Sequence, residues 1–233
     1  LRVTPNGSIP ADTDGVPSAK LDTGAMFRYV AALAIQMGLI STMLLGIDVC
    51  VSSLGFASKI PSGINLVLFY FLALKSRIFN PMSNRRPQRK SKEIDSTNDT
   101  KVEPRKMPTW TPPGVVFPIV WLLIIGPLRA VSSSIVVSHL LSLGGCRAYS
   151  SPAILSLMLH LSIGDVWNTI NNTERRYGTS VLGVVMVWVS AAFAASEYFR
   201  VVPLAGKLLA LPLIWLSIAS SLIFRTWQIN NPN

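Results

Sequence analysis

Between Arg28 and Asp48 nineteen residues, YVAALAIQMGLISTMLLGI, pass without a charge. At about 1.5 Å rise per residue, a helix of that length reaches about 28 Å, close to the thickness of a bilayer's hydrocarbon core. Backbone N–H and C=O groups find no water there, so the run must satisfy them internally, as a helix does. The pattern recurs at residues 60–74, 112–140, 152–172, 179–199 and 203–228, where charges are absent or isolated. Composition agrees: half of the 233 residues are apolar and 14% are charged, against about 25% charged in a soluble domain. The expected fold class is all-α, an integral membrane helical bundle in a lipid bilayer.

The 60–74 run is the exception in length. Fifteen residues reach about 22 Å, short of the core. It reads either as a short span whose flanking Lys59 and Lys75 snorkel to the headgroups, or as an interfacial or re-entrant helix.

The net charge of +10 is concentrated in loops. Residues 75–107 hold ten Lys or Arg against four acids, and the loop at 174–176 reads Glu-Arg-Arg. A nucleic-acid-binding face would need those charges on a folded polar surface, so no nucleic-acid partner is expected. Counting crossings puts both basic loops on one side, which the positive-inside rule makes cytosol, stroma or matrix. The C-terminus joins that side, and the N-terminus does too if 60–74 spans. Four regions result: a mobile tail 1–24, an N-terminal helical region 25–79, a basic polar linker 80–107, and a bundle 108–230. The linker is read as a solvated topogenic loop, or as a contact for anionic lipid or an acidic partner. The chain begins at Leu1, which we read as a form processed after loss of a transit peptide. Cys50 and Cys146 make neither a disulfide framework nor a zinc site and are expected as free thiols.

Polar and aromatic residues inside the runs mark the candidate site. Trp121 lies near the start of the 112–140 run, and Trp167, Trp188 and Trp215 lie within the last three. They serve helix packing, or line an internal cavity for a flat apolar ligand. Trp110 and Trp227 sit where an aromatic belt forms. Arg129 lies mid-run, after Gly126 and Pro127, which can kink the helix. A mid-membrane arginine needs a carboxylate, a carbonyl or an anionic ligand. The readings are a structural pair with Asp165 or Asp48, or a contact with a ligand carboxylate. His160, Gly164, Asn168 and Asn172 recur every four residues, one stripe of a helix, flanked by Asp165 and Trp167. Such residues face a partner helix or a ligand. His139 and His160 are read as hydrogen-bonded structural residues, with ligation of a haem or chlorophyll metal as the alternative. Ser132, Ser133 and Ser134 are expected to aid packing. Leu68, Tyr70 and Lys75 match a permissive sterol-contact pattern. No nucleophile–His–acid set or phosphate-binding glycine loop stands out, so an enzyme is not the first expectation.

Residues 108–121, PTWTPPGVVFPIVW, place Pro108, Pro112 and Pro113 ahead of the run, where proline is best tolerated. Trp110, Pro112, Pro113, Phe117, Val120 and Trp121 resemble the W-x-P-P-x-x-x-F-x-x-V-W signature of the TspO/MBR family. A looser resemblance continues to about residue 230, through Ala205, Leu208, Pro212, Trp215, Ala219, Leu222 and Asn230. The resemblance implies five TspO-like transmembrane helices, here with one additional short or interfacial N-terminal helix. It also implies binding of porphyrins, cholesterol or synthetic aromatic ligands, with a tetrapyrrole (porphyrin, haem or chlorophyll) as the most concrete cofactor or ligand. The site would take in Trp110, Trp121, Trp167, Trp188, Trp215, Arg129, His160, Asp165 and Asn168. Gly164 stands where the family usually has Asn, Leu213 where it has Tyr, and Ile223 where it has Asn. These departures favour a rival reading, a structural or pigment-associated subunit of a larger membrane complex. Photo-oxidative porphyrin degradation is a third class, implied by activity proposed for some relatives. A homodimer or a membrane-complex partner is expected. A plastid membrane, thylakoid or envelope, is the expected location, with the mitochondrial outer membrane as the alternative.

Overall fold

The structure, a computed structural model, describes residues 22–55, 60–82 and 105–231. The tail 1–24 and the basic linker 80–107 fall mostly outside these residues. Among the described residues every regular element is a helix. Helix α1 is Thr23–Ser53. Helix α2, Ser62–Lys75, continues as a 3-10 turn, Ser76–Phe79. Helix α3, Val116–Ile119, passes through a π-helical segment, Val120–Ile125, into α4, Gly126–Ser142. Helix α5, Pro152–Asn168, ends in a π-helical segment, Thr169–Thr173. Helix α6 is Tyr177–Val201, α7 is Pro203–Ala210 and α8 is Pro212–Asn230. Joined end to end, they make six helices long and apolar enough to cross a membrane.

The second of these settles the length of the 60–74 run. With its 3-10 turn it covers 18 residues, Ser62–Phe79, or about 27 Å at the α-helical rise. The hydropathy boundary at Lys75 ends the apolar stretch but not the hydrogen-bond ladder. The same holds for α1, which overruns the uncharged stretch at both ends. Its N-terminus is capped by Asp22, whose Oδ1 accepts the Ala25 N–H at 2.9 Å, and Arg176 pairs with the other carboxylate oxygen at 2.8 Å. The Ala25 N–H first, and then Arg176, hold the Asp22 carboxyl below the usual carboxylate range. A depressed folded-state pKa gives stability that is present above the unfolded value, near 4, and is lost as pH falls through the folded one. The first turn of α1 is therefore expected to fray selectively as pH drops below about 4. Amide hydrogen exchange at residues 25–27 measures this, and Asp22→Asn should abolish the pH dependence.

Proline punctuates the last span. Pro212 offers no N–H, and the Leu211 N–H bonds instead to the Leu208 carbonyl at 3.4 Å, so α7 and α8 meet at a one-residue break. The α6–α7 corner is tight. A Cβ on Gly206 would lie 2.4 Å from the Phe199 Cα, a backbone atom that has no room to yield.

Helix α5 packs against α6 on one side and α1 on the other; α2 packs on α4, and α6 also meets α7 and α8. Helix α1 thus sits at the edge of the bundle, against α5 and the 3-10 turn, with Ile40 and Leu44 buried in the main core. Apolar burial contributes little in lipid, so packing and interhelical hydrogen bonds hold such helices together. One such tie is Asp48, near the end of α1 away from the basic linker. It accepts the Tyr149 N–H at 2.9 Å, the Ser150 N–H at 2.7 Å and the Ser150 hydroxyl at 2.6 Å. That single carboxylate fastens α1 to the α4–α5 loop. Cys50 and Cys146, toward the same end, are free and exposed.

Candidate functional site

The site begins with the irregular turn between α3 and α4. The Gly126 N–H donates to the Trp121 carbonyl, an i to i−5 bond that widens the helix. Pro127 follows and has no N–H. The Leu122 carbonyl thereby loses its helical partners and accepts the Tyr70 hydroxyl at 3.0 Å instead. A Cβ on Gly126 would lie 3.1 Å from the Tyr70 ring, so α2 presses closely on this turn. Tyr70, part of the sterol-contact pattern, is spent on this structural bond.

Two turns beyond Trp121, Arg129 reaches back, and its guanidinium carbon lies 5.1 Å from the Trp121 ring centroid. Arg129 is 5% exposed. Its Nη2 donates to His160 Nε2 at 2.6 Å. Because Nε2 accepts, the imidazole proton sits on Nδ1, which donates to Ser190 Oγ at 3.1 Å; that hydroxyl donates to the Val187 carbonyl at 3.0 Å. Among the described residues no carboxylate lies within ion-pair distance of Arg129. The pairs with Asp165 or Asp48 are not formed, because Asp48 is taken by the α4–α5 loop and Asp165 by the contacts given below. Arg129 is thus a buried cation held by an imidazole and a π face, with Asp165 acting on it only through space and no carboxylate in direct contact among the described residues.

The serines behind it behave as expected. Ser133 Oγ donates to the Arg129 carbonyl at 2.8 Å and accepts the Tyr198 hydroxyl at 2.8 Å, while Ser132 and Ser134 bond to the carbonyls of Leu128 and Ser62. Tyr198 is fully buried. Tyr198→Phe should cost about 1 kcal/mol, read as a lowered midpoint of reversible unfolding in mixed micelles, with Arg129 left in place.

The tryptophans divide. Trp121 and Trp167 pack with Ile163 and Leu213 around Val187, Ala191 and Leu216. The Trp167 N–H donates to the Ser180 carbonyl at 3.0 Å, and its ring fills the space of a side chain at Gly183. Trp215 meets Phe117, one turn before Trp121, edge to face at 5.7 Å; its indole N–H is buried without a hydrogen-bond partner. Trp188 turns outward, 37% exposed, and donates to Ser217. Trp110 precedes α3 and is 49% exposed. The structure therefore brings together Trp121, Arg129 and His160, with Trp167 and Trp215 adjoining, and sets Trp110 and Trp188 apart. A cleft of about 400 Å³ opens elsewhere, between α1, the segment after α2 and the end of α5, and no tryptophan lines it.

The sequence pattern of the TspO/MBR family matches residues 88–228, more than half of the chain. The chain belongs to the TspO/MBR family. Among curated relatives, protein CrtK of Rhodobacter capsulatus is 25% identical over 130 residues, covering 54% of this chain and 75% of the relative. The tryptophan-rich sensory protein of Cereibacter sphaeroides is 25% identical over 127 residues, covering 53% of this chain and 72% of the relative. No solved structure matches. Helices α1 and α2 precede the TspO/MBR match.

Outside that match, α1 brings a polar group into the bundle. Asp165 Oδ2 accepts Gln36 Nε2 at 2.8 Å and Ser76 Oγ at 2.7 Å. Arg77 donates to the Asp165 carbonyl at 3.0 Å and to Thr169 Oγ1 at 2.6 Å, and Asn80 donates to Gln36 Oε1 at 2.7 Å. This clasp joins α1, the end of α2 and α5. Asn168 accepts from Asn172 at 2.7 Å near the basic end, away from Arg129. The π-helical turn at 169–173 rotates the stripe, so Asn171 is the residue that turns inward. It is 3% exposed and accepts from Ser180 Oγ at 2.9 Å and Arg105 Nη2 at 3.2 Å. Sequence reasoning passed over Asn171, Ser190 and Gln36. Only Gln36 left a signal, as the amide in the uncharged 29–47 run. Among the described residues no three of His, Cys, Asp and Glu converge to hold a metal ion.

Proposed function

We propose that this TspO/MBR protein binds a hydrophobic ligand with an acidic group, most concretely a tetrapyrrole, beside the α3–α4 turn. The observation that supports it is Arg129. A buried cation with no carboxylate in direct contact is costly, and a ligand carboxylate, such as a tetrapyrrole propionate, would complete it. The other residues suit the same guest. Trp121 and Trp167 offer aromatic faces, and the unpartnered Trp215 N–H offers a donor to an acceptor on the ligand. His160 has both ring nitrogens engaged, so it positions Arg129 rather than ligating a metal. Asp165 supports the fold through the α1–α2–α5 clasp, and Trp110, Trp188 and Asn168 lie apart from the site.

The name of the Cereibacter relative, tryptophan-rich sensory protein, favours a sensory role, and we propose sensing or carriage of the ligand in a plastid membrane, with the mitochondrial outer membrane as the alternative. Import of a fluorescent fusion distinguishes the two. A second reading, a structural or pigment-associated subunit of a larger complex, draws on the clasp that fastens an extra helix across α5. Titration of the purified protein with protoporphyrin IX tests both. Saturable quenching of tryptophan fluorescence at one ligand per chain is expected. Absence of saturation, with stable co-purification of pigment–protein complexes, would favour the second reading. Light-dependent loss of bound porphyrin would point to degradation instead.

A further inference from the structure

The cleft near the basic end of α1 has a different chemistry from the indole region. It lies between α1, the segment after the α2 turn and the end of α5, and has a volume of about 400 Å³, within the range of small-ligand sites. Phe27, Ala31 and Ile35 recur every four residues along α1 and share one stripe. The small Ala31 leaves a hollow between the larger Phe27 and Ile35, which are 75% and 50% exposed, and Met82 closes the opposite wall. Arg28 stands at the mouth. It makes no hydrogen bond or ion pair with the described residues. The acid at the same mouth, Glu174, is already engaged by the Tyr29 hydroxyl and by Arg176 at 3.1 Å. The cleft therefore presents above an apolar trough a positive charge that Asp22 reaches only through space and that has no direct partner among the described residues.

Its depth in the membrane identifies the occupant. Arg28 is the last charge before the uncharged run of α1, so it lies at headgroup level, and Ile35 lies about 10 Å further in at the helical rise. A guest with a negative head at that level and a hydrocarbon chain below is an anionic lipid, on the leaflet that the positive-inside rule makes the basic side. We infer that this cleft is a binding site for an anionic phospholipid, with its phosphate on Arg28 and an acyl chain over Ala31 along Phe27 and Ile35. The site is built largely by α1, outside the family match, and it stands independently of the tetrapyrrole reading.

Native mass spectrometry of the full chain released from mixed micelles tests it, with phosphatidylglycerol and phosphatidylcholine of the same acyl chains as probes. One phosphatidylglycerol is expected to stay bound, with at least a fivefold preference over phosphatidylcholine. Arg28→Gln, an exposed change, should erase the preference. Ala31→Phe should fill the trough and lower retention of both lipids, while protoporphyrin quenching stays unchanged. Circular dichroism confirms that both variants fold. Equal retention of the two lipids, or an unchanged preference in Arg28→Gln, overturns the proposal. So does equally tight binding of soluble glycerol phosphate, which would make this a phosphate site, or displacement of the lipid by one equivalent of protoporphyrin, which would make it the porphyrin site.

Discussion

Replacing Arg129 by Gln is expected to weaken protoporphyrin IX binding by about 10- to 100-fold, while leaving the affinity for the porphyrin's dimethyl ester unchanged. A hydrogen bond to a charged group contributes about 1.5–3 kcal/mol, and each 1.4 kcal/mol is a factor of ten in affinity. The ester keeps the ring and the apolar contacts but removes the charge that Arg129 would meet. Stability should move the other way. The guanidinium is 5% exposed and has no carboxylate within ion-pair distance among the described residues. A glutamine amide can still donate to His160 Nε2 without the cost of a desolvated cation. The unfolding midpoint of Arg129→Gln should therefore hold or rise. An equal loss for acid and ester, or unchanged affinity with lost stability, would make Arg129 a structural residue.

The other large effect is expected at Asp165. Asp165→Leu removes the acceptor shared by Gln36 and Ser76; it strands the Ser76 hydroxyl and leaves Gln36 Nε2 only the Ser76 carbonyl at 3.1 Å. Charge-assisted bonds and a stranded donor together set a loss of about 2–4 kcal/mol. Asp165→Asn keeps an oxygen acceptor and should cost about 1 kcal/mol. Reversible unfolding in mixed micelles reads both values. Because the clasp holds the outlying helix, Asp165→Leu should also raise hydrogen exchange along the middle of α1 more than in α6. Uniform exchange across the two helices, or a loss below 0.5 kcal/mol, would show that packing alone seats α1.

Much of this architecture was legible in the residues. The six apolar runs became six helices of spanning length, and the Trp-Pro-Pro segment at 110–113 pointed to the family that the match over residues 88–228 shows. The helices run past the uncharged stretches where a charge falls inside a helical turn. Helix α1 passes through Arg28 because its first turns lie beyond the apolar layer, where that charge is exposed, and through Asp48 because Tyr149 and Ser150 satisfy that buried carboxylate. The break at Pro212 and the widened turn before Pro127 are both written as prolines, but at Pro212 the chain's own Leu211 N–H takes the freed Leu208 carbonyl, whereas at Pro127 a side chain of another helix, Tyr70, takes the Leu122 carbonyl.

The partners of the polar residues were a different matter. Arg129, Asp165 and His160 stand out by type and depth, yet their pairing was not written in the spacing. Asp165 turns toward α1 and the α2 turn, and Arg129 toward His160 and Trp121. Hydropathy and charge are read along one dimension, and they determine how many helices cross and which way. Which side chain meets which depends on how each helix is rotated about its axis. Here close packing at Gly126, Gly183 and Gly206 and two widened turns set those rotations, and they appear only when the helices are assembled.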